Sequence, residues 1–137
     1  VNGLLENRKA LYLHFATDPG ATIENENIKN DDSAWISTLN GIIRDNLTNE
    51  DFSVDQLAKE MAVSRSSLQR KLKGLLGTTP NDYIKLIRLK TAAQMLQSGS
   101  YRIGEVCYMV GCSSLSYFTR CFTSQFGIKP KDYIKKQ

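Results

Sequence analysis

Ser66, Gln69, Arg70 and Lys73 follow the i, i+3, i+4, i+7 spacing of one side of a helix. No nucleophile–base pair, paired carboxylates, phosphate loop or cofactor fingerprint stands out around them or elsewhere in the chain, which argues against an enzyme. Their chemistry is that of recognition. Arg70 carries a bidentate donor that fits a guanine edge, and Gln69 a donor and acceptor that fit adenine. In the same stretch, SRSSLQRKLKGLLG (64–77), Leu68, Leu72, Leu75 and Leu76 form a separate, core-facing stripe. A polar stripe on a surface helix is ordinarily a solvated face, so a binding role needs a second sign.

An internal repeat supplies one. At an offset of 49, Leu57 meets Val106, Ala58 meets Cys107, Ala62 meets Gly111 and Ser64 meets Ser113. One inserted residue near Ser114 changes the offset to 50, and Leu68, Arg70, Leu72 and Leu76 then meet Phe118, Arg120, Phe122 and Phe126. Gly77, Pro80, Asp82 and Tyr83 meet Gly127, Pro130, Asp132 and Tyr133. The polar stripe recurs as Ser116, Thr119, Arg120 and Thr123. Each copy reads as a short helix, a tight turn at a small residue and a second, Ser-capped helix. That is a helix-turn-helix, at about 53–77 and about 102–127.

Ser66, Gln69, Arg70, Ser116, Tyr117 and Arg120 are therefore the candidate base contacts. Arg65, Lys73, Lys129 and Lys131 are candidate phosphate contacts, which set affinity but not sequence. The helix starts at Thr79 and Ser113 offer backbone N–H groups for the same purpose. Leu68, Leu72, Leu76, Phe118, Phe122 and Phe126 are assigned to the core.

The periodicity that must hold these residues is helical throughout. Segments at 33–47, 53–61, 64–77, 79–97, 103–111, 114–126 and 130–136 make an all-α domain of seven helices spanning 33–137. Ser53 with Gln56 predicts a capping box, Thr79-Pro80 a helix start, and Gly77 a helix end. Ahead of the domain, residues 4–15 have helical spacing, and residues 17–32 read as an exposed linker rich in Asn and acids. The 18 or so residues from Pro80 to Gln97 span about 27 Å at ~1.5 Å each. With helix widths added, the two second helices are expected roughly one DNA turn apart, about 34 Å.

Charge is unevenly distributed. Residues 1–50 carry 4 Lys/Arg against 8 Asp/Glu, and residues 51–137 carry 14 against 6, so a basic body follows an acidic start. No apolar run is long enough to span a membrane and no secretory leader opens the chain, which begins at Val1 and reads as a piece of something longer. Cys107, Cys112 and Cys121 are an odd set of three whose spacing does not suit a zinc site. They point to packing in a reducing, cytoplasmic setting, with no metal or cofactor expected.

IGEVCYMVGCSSLSYFTRCFTSQFGIKPKDY resembles the signature region of AraC-type transcription regulators, and SVDQLAKEMAVSRSSLQRKLKGLLGTTPNDYI resembles the family's first helix-turn-helix. The resemblance covers about 33–136. It implies a two-motif DNA-binding domain that activates transcription at promoters, with RNA polymerase as a partner. The opening residues are similar to the join in hybrid two-component regulators. That likeness makes residues 1–16 the exit helix of an upstream receiver in a sensor-kinase parent, with dimerisation expected of the full-length parent. Cys112 departs from the family's usual Phe or Tyr, so that corner is expected to pack less fully. Lys129 replaces the usual Ser or Thr cap, and Ile134 a frequent Arg. A helical protein-interaction module and a non-specific nucleic-acid binder are the competing readings.

Overall fold

The computed structural model describes Ala16 and residues 30–135. Within them run seven helices: α1 (Asn30–Asp45), α2 (Val54–Glu60), α3 (Arg65–Leu76), α4 (Pro80–Ser98), α5 (Ile103–Met109), α6 (Leu115–Phe126) and α7 (Pro130–Lys135). No strand occurs among the described residues. The all-α, seven-helix architecture is as expected; the upstream helix at 4–15 and the linker as far as residue 29 lie outside the described residues. α1 begins at Asn30 rather than at residue 33. Asp31 and Asp32, read as linker on composition, fall in its first turn, where carboxylates meet the positive end of the helix dipole.

Local signals fix most helix ends. Ser53 Oγ accepts from Gln56 N and Gln56 Oε1 accepts from Ser53 N, both at 3.2 Å, closing the expected capping box on α2. Arg102 N donates to Glu105 Oε1 at 3.0 Å on α5, the return half of the same box 49 residues on, without a side-chain acceptor at the cap. Thr79 Oγ1 accepts from Asp82 N at 3.2 Å and Pro80 opens α4. Gly77, Gly99 and Gly127 end α3, α4 and α6 in the left-handed region.

α4 is buried on nearly every side, through Tyr83, Ile84, Leu86, Ile87, Leu89, Ala92, Ala93 and Leu96. With apolar residues on most of its sides, α4 lies inside and packs against α1, α3, α5, α6 and α7. Its first half joins a hydrophobic cluster with Ile36, Leu39 and Ile43 of α1, Leu57 of α2, and Leu68, Leu72, Leu75 and Leu76 of α3. Its second half joins another with Val106, Cys107, Val110, Phe118, Phe122 and Tyr133. Phe126 packs against both clusters and is only partly buried, so it joins the two halves rather than sitting deep in one.

The repeated tyrosines show how α4 serves both halves. Tyr83 at the start of α4 donates its hydroxyl hydrogen bond to Asn40 of α1. Its counterpart Tyr133 in α7 donates to Gln97 of α4, at 3.4 Å. α4 thus closes the first unit as α7 closes the second, and it also supports the second unit as α1 supports the first. Ahead of this frame, Ala16 is buried against the first cluster and its carbonyl accepts from Gln125 Nε2 of α6 at 2.8 Å.

Candidate nucleic-acid interface

α3 presents the first stripe. Ser64 Oγ accepts from Ser67 N at 3.1 Å, which starts the helix where the sequence places it. Leu68, Leu72, Leu75 and Leu76 then turn inward. Ser66, Gln69, Arg70 and Lys73 are all exposed and lie together on the opposite side. Arg65 is exposed as well, but its Nη1 lies 3.2 Å from Asp55 Oδ1 of α2. An exposed pair of this kind is weak and yields readily to a phosphate.

α6 presents the second stripe, with a corrected register. Its cap is Ser114, whose Oγ accepts from Tyr117 N at 3.2 Å, and not Ser113. Ser113 is the inserted residue, and its hydroxyl donates to Glu50 Oε1 at 2.9 Å. The turn before it still follows the offset of 49: Val63 N donates to Ala58 O, and Cys112 N to Cys107 O. Ser64 therefore matches Ser114. Two adjacent serines made the two alignments indistinguishable by residue type.

Ser116 and Arg120 are exposed on α6, while Phe118 and Phe122 are buried. Tyr117 is half exposed, with Arg120 Cζ 5.8 Å and Lys85 Nζ 5.9 Å from its ring centre. It flanks Arg120 on the side toward α4. Thr79, Lys129 and Lys131 are exposed but follow Gly77 or Gly127, beyond the C-terminal ends of α3 and α6. The structure therefore groups Ser66, Gln69, Arg70 and Lys73 on one stripe and Ser116 with Arg120 on the other, and leaves those three off both.

The two turns differ in a telling way. Ala62 turns the first motif at φ 59° and Gly111 turns the second at φ 80°. A Cβ on Gly111 would overlap Arg88 Nη1 and the Leu47 carbonyl. Arg88, from the middle of α4, donates to Leu47 O, to Val110 O at 2.6 Å and to Asn49 O at 2.9 Å. One guanidinium thus ties the loop before the first motif to the turn of the second, and Ser113–Glu50 adds a parallel tie. Burial lowers the Arg88 pKa, with nearby Cys112 and Glu50 acting in the opposite sense. Neither tie was found by motif reading. An arginine flanked by the apolar Ile84, Ile87 and Leu89 of the central helix was the available signal, since such a group must find acceptors.

Cys112 is half buried and, with Lys85, Arg88, Leu89, Gly111, Tyr117 and Cys121, lines an open cleft of about 120 Å³. The corner is loosely filled, as expected for a small residue there. Cys107 Sγ donates to Cys112 O at 3.3 Å, and burial, then Cys112, pushes its thiol up to about 11. All three thiols are free. Among the described residues no group of three His, Cys, Asp or Glu side chains converges on a metal position, and no helix is long and apolar enough to cross a membrane.

A helix-turn-helix domain family model matches residues 57–136. Over 133 residues the chain is 35% identical to histidine kinase P4 of Formosa agariphila, covering 97% of this chain but only 10% of that protein. It is 33% identical to the probable transcription factor PqrA of Proteus vulgaris, covering 79% of this chain and 84% of the relative. The crystal structure of a transcriptional regulator with an AraC-type DNA-binding domain, from Chromobacterium violaceum, superposes with a TM-score of 0.71 at 28% identity. That match covers 79% of this chain and 96% of the other.

Proposed function

The chain belongs to the AraC-type helix-turn-helix family and binds double-stranded DNA sequence-specifically in transcription regulation; from that premise we propose that α3 and α6 read successive major grooves on one side of the duplex. The duplicated, exposed polar stripe on two capped helices is the observation that carries this reading. Ser66, Gln69 and Arg70 contact bases in one half-site, and Ser116, Tyr117 and Arg120 in the other. Arg65, Lys73, Lys129 and Lys131 neutralise phosphates. The N-terminus of α4 behind Thr79 and that of α6 behind Ser114 offer N–H groups to the backbone, and Ser113 contributes from beside the latter. α4 is 19 residues long, about 28 Å at ~1.5 Å per residue, which suits half-sites about one turn apart.

The domain is further proposed to be the output part of a two-component protein. The likeness to histidine kinase P4 supports this, because it extends over nearly the whole chain and not only over the residues of the family match. Residues 1–16 would then lead from an upstream receiver and 17–32 would connect it, with α1 already begun at Asn30. RNA polymerase, a cytoplasmic site of action and dimerisation of the parent belong to the same proposal.

Selection of bound duplexes from a randomised pool at near-physiological salt tests the groove assignment. The expected product has two half-sites about one turn apart. Arg70→Ala and Arg120→Ala each relax discrimination at one half-site by about 1–3 kcal/mol. Binding without enrichment, vanishing as salt rises, overturns it.

A further inference from the structure

α3 and α6 occupy the same place in the two units but carry different chemistry. α3 bears Arg65, Arg70, Lys71 and Lys73 with no acid, whereas Arg120 is the one charged residue of α6. At the offset of 50 that the structure fixes, Arg65 becomes Leu115, Gln69 becomes Thr119 and Lys73 becomes Thr123. Leu115 is the first residue of α6 and stands 49% exposed. The core side of its helix is already filled by Phe118 and Phe122, with Phe126 at the end. Leu115 shares the i, i+3, i+7 line of Phe118 and Phe122, but at the first turn that line runs past the packed core and leaves it half outside, next to Ser116 and one turn ahead of Thr119. The first residues of a recognition helix are the ones that meet base edges.

An apolar side chain in the major groove has one complementary feature to meet, the thymine C5-methyl group. We propose that Leu115 is a specificity-determining residue that packs on a thymine methyl at the base pair facing the start of α6. The two half-sites are then unlike. The one under α3 is held by charge and read by hydrogen bonds, and the one under α6 adds an apolar contact to the reading by Ser116, Tyr117 and Arg120. This inference rests on the groove assignment proposed above, and its test separates the two.

The probe is the selected duplex, with uracil replacing thymine first in one half-site and then in the other. Uracil keeps every hydrogen-bonding group and lacks only the methyl. Loss of one buried methyl contact corresponds to about a fourfold weaker Kd. That loss is expected for uracil under the start of α6, and in Leu115→Ala the thymine and uracil duplexes bind alike. Leu115→Ala is expected to melt with the parent, because the side chain is half outside. The same uracil penalty in the parent and in Leu115→Ala overturns the proposal. So does a selected second half-site with no thymine at that position. If both half-sites are enriched and depend on Arg70 and Arg120, such a failure touches Leu115 alone. If nothing is enriched, the groove assignment falls and Leu115 with it.

Discussion

At the residue scale, Gly111 and Ala62 show how one backbone position makes different demands in two settings. Both are left-handed, but only at Gly111 do neighbours occupy the space a Cβ would need. Gly111→Ala adds the αL cost of roughly 1–2 kcal/mol to an overlap with Arg88 and Leu47, and is expected to destabilise by about 3 kcal/mol or more in urea melts. Ala62→Gly is expected to change stability by less than about 1 kcal/mol, because relief of φ strain offsets the entropy of glycine. Cys107 makes a prediction in pH. Its folded pKa of about 11 lies above the unfolded value, so the folded state holds the thiol proton more tightly. That contribution is complete below about pH 9 and is lost as pH rises through 11. Cys107→Ala, which installs the residue found at Ala58, is expected to flatten the fall of Tm between those pH values relative to the parent.

At the element scale, the helices and most of their ends were legible because the signals are local. A capping serine, a first-turn proline or a terminal glycine acts within one turn of its own position. The segment 114–126 was legible, but which serine caps α6 was not, since Ser113 and Ser114 are the same residue and only the hydrogen bonds distinguish cap from insertion. The structural register is checked by comparing two alanine variants. Ser114→Ala is expected to cost about 1 kcal/mol through loss of the N-cap. Ser113→Ala removes only an exposed bond to Glu50 and is expected to cost less than half as much. The start of α1 was misplaced for a related reason: Asp31 and Asp32 read as solvated linker until the helix that uses their charge is seen.

At the scale of the whole molecule, the two stripes were legible from the repeat, but the joint that sets them relative to each other was not. Among the described residues Arg88 donates to backbone carbonyls, and a carbonyl has no signature in a sequence. Arg88→Met keeps the bulk of the stem and leaves those carbonyls without their donor, at an expected cost of roughly 2–4 kcal/mol in stability. Its signature in DNA binding is a ratio. Affinity for a duplex carrying both half-sites falls more than affinity for either half-site alone, because a loosened joint lowers the effective concentration of the second helix at its groove. Equal losses on all three duplexes would show that Arg88 supports folding without setting the spacing.

The Arg88–Gly111 arrangement also governs the order in which substitutions can accumulate. Residues 47, 49 and 110 meet the guanidinium through main-chain oxygens, so that contact itself sets no side-chain type there, and Leu47 and Val110 answer only to the core in which they are buried. Residue 111 has no such liberty while an arginine stands at 88. A lineage that first shortens residue 88 relaxes one of the two overlaps and moves toward the state the first unit occupies, where alanine sits in the turn at φ 59°. A lineage that changes residue 111 first meets both overlaps at once. The two positions are therefore expected to change together and in a preferred sequence, one glycine being inherited with one arginine 23 residues earlier.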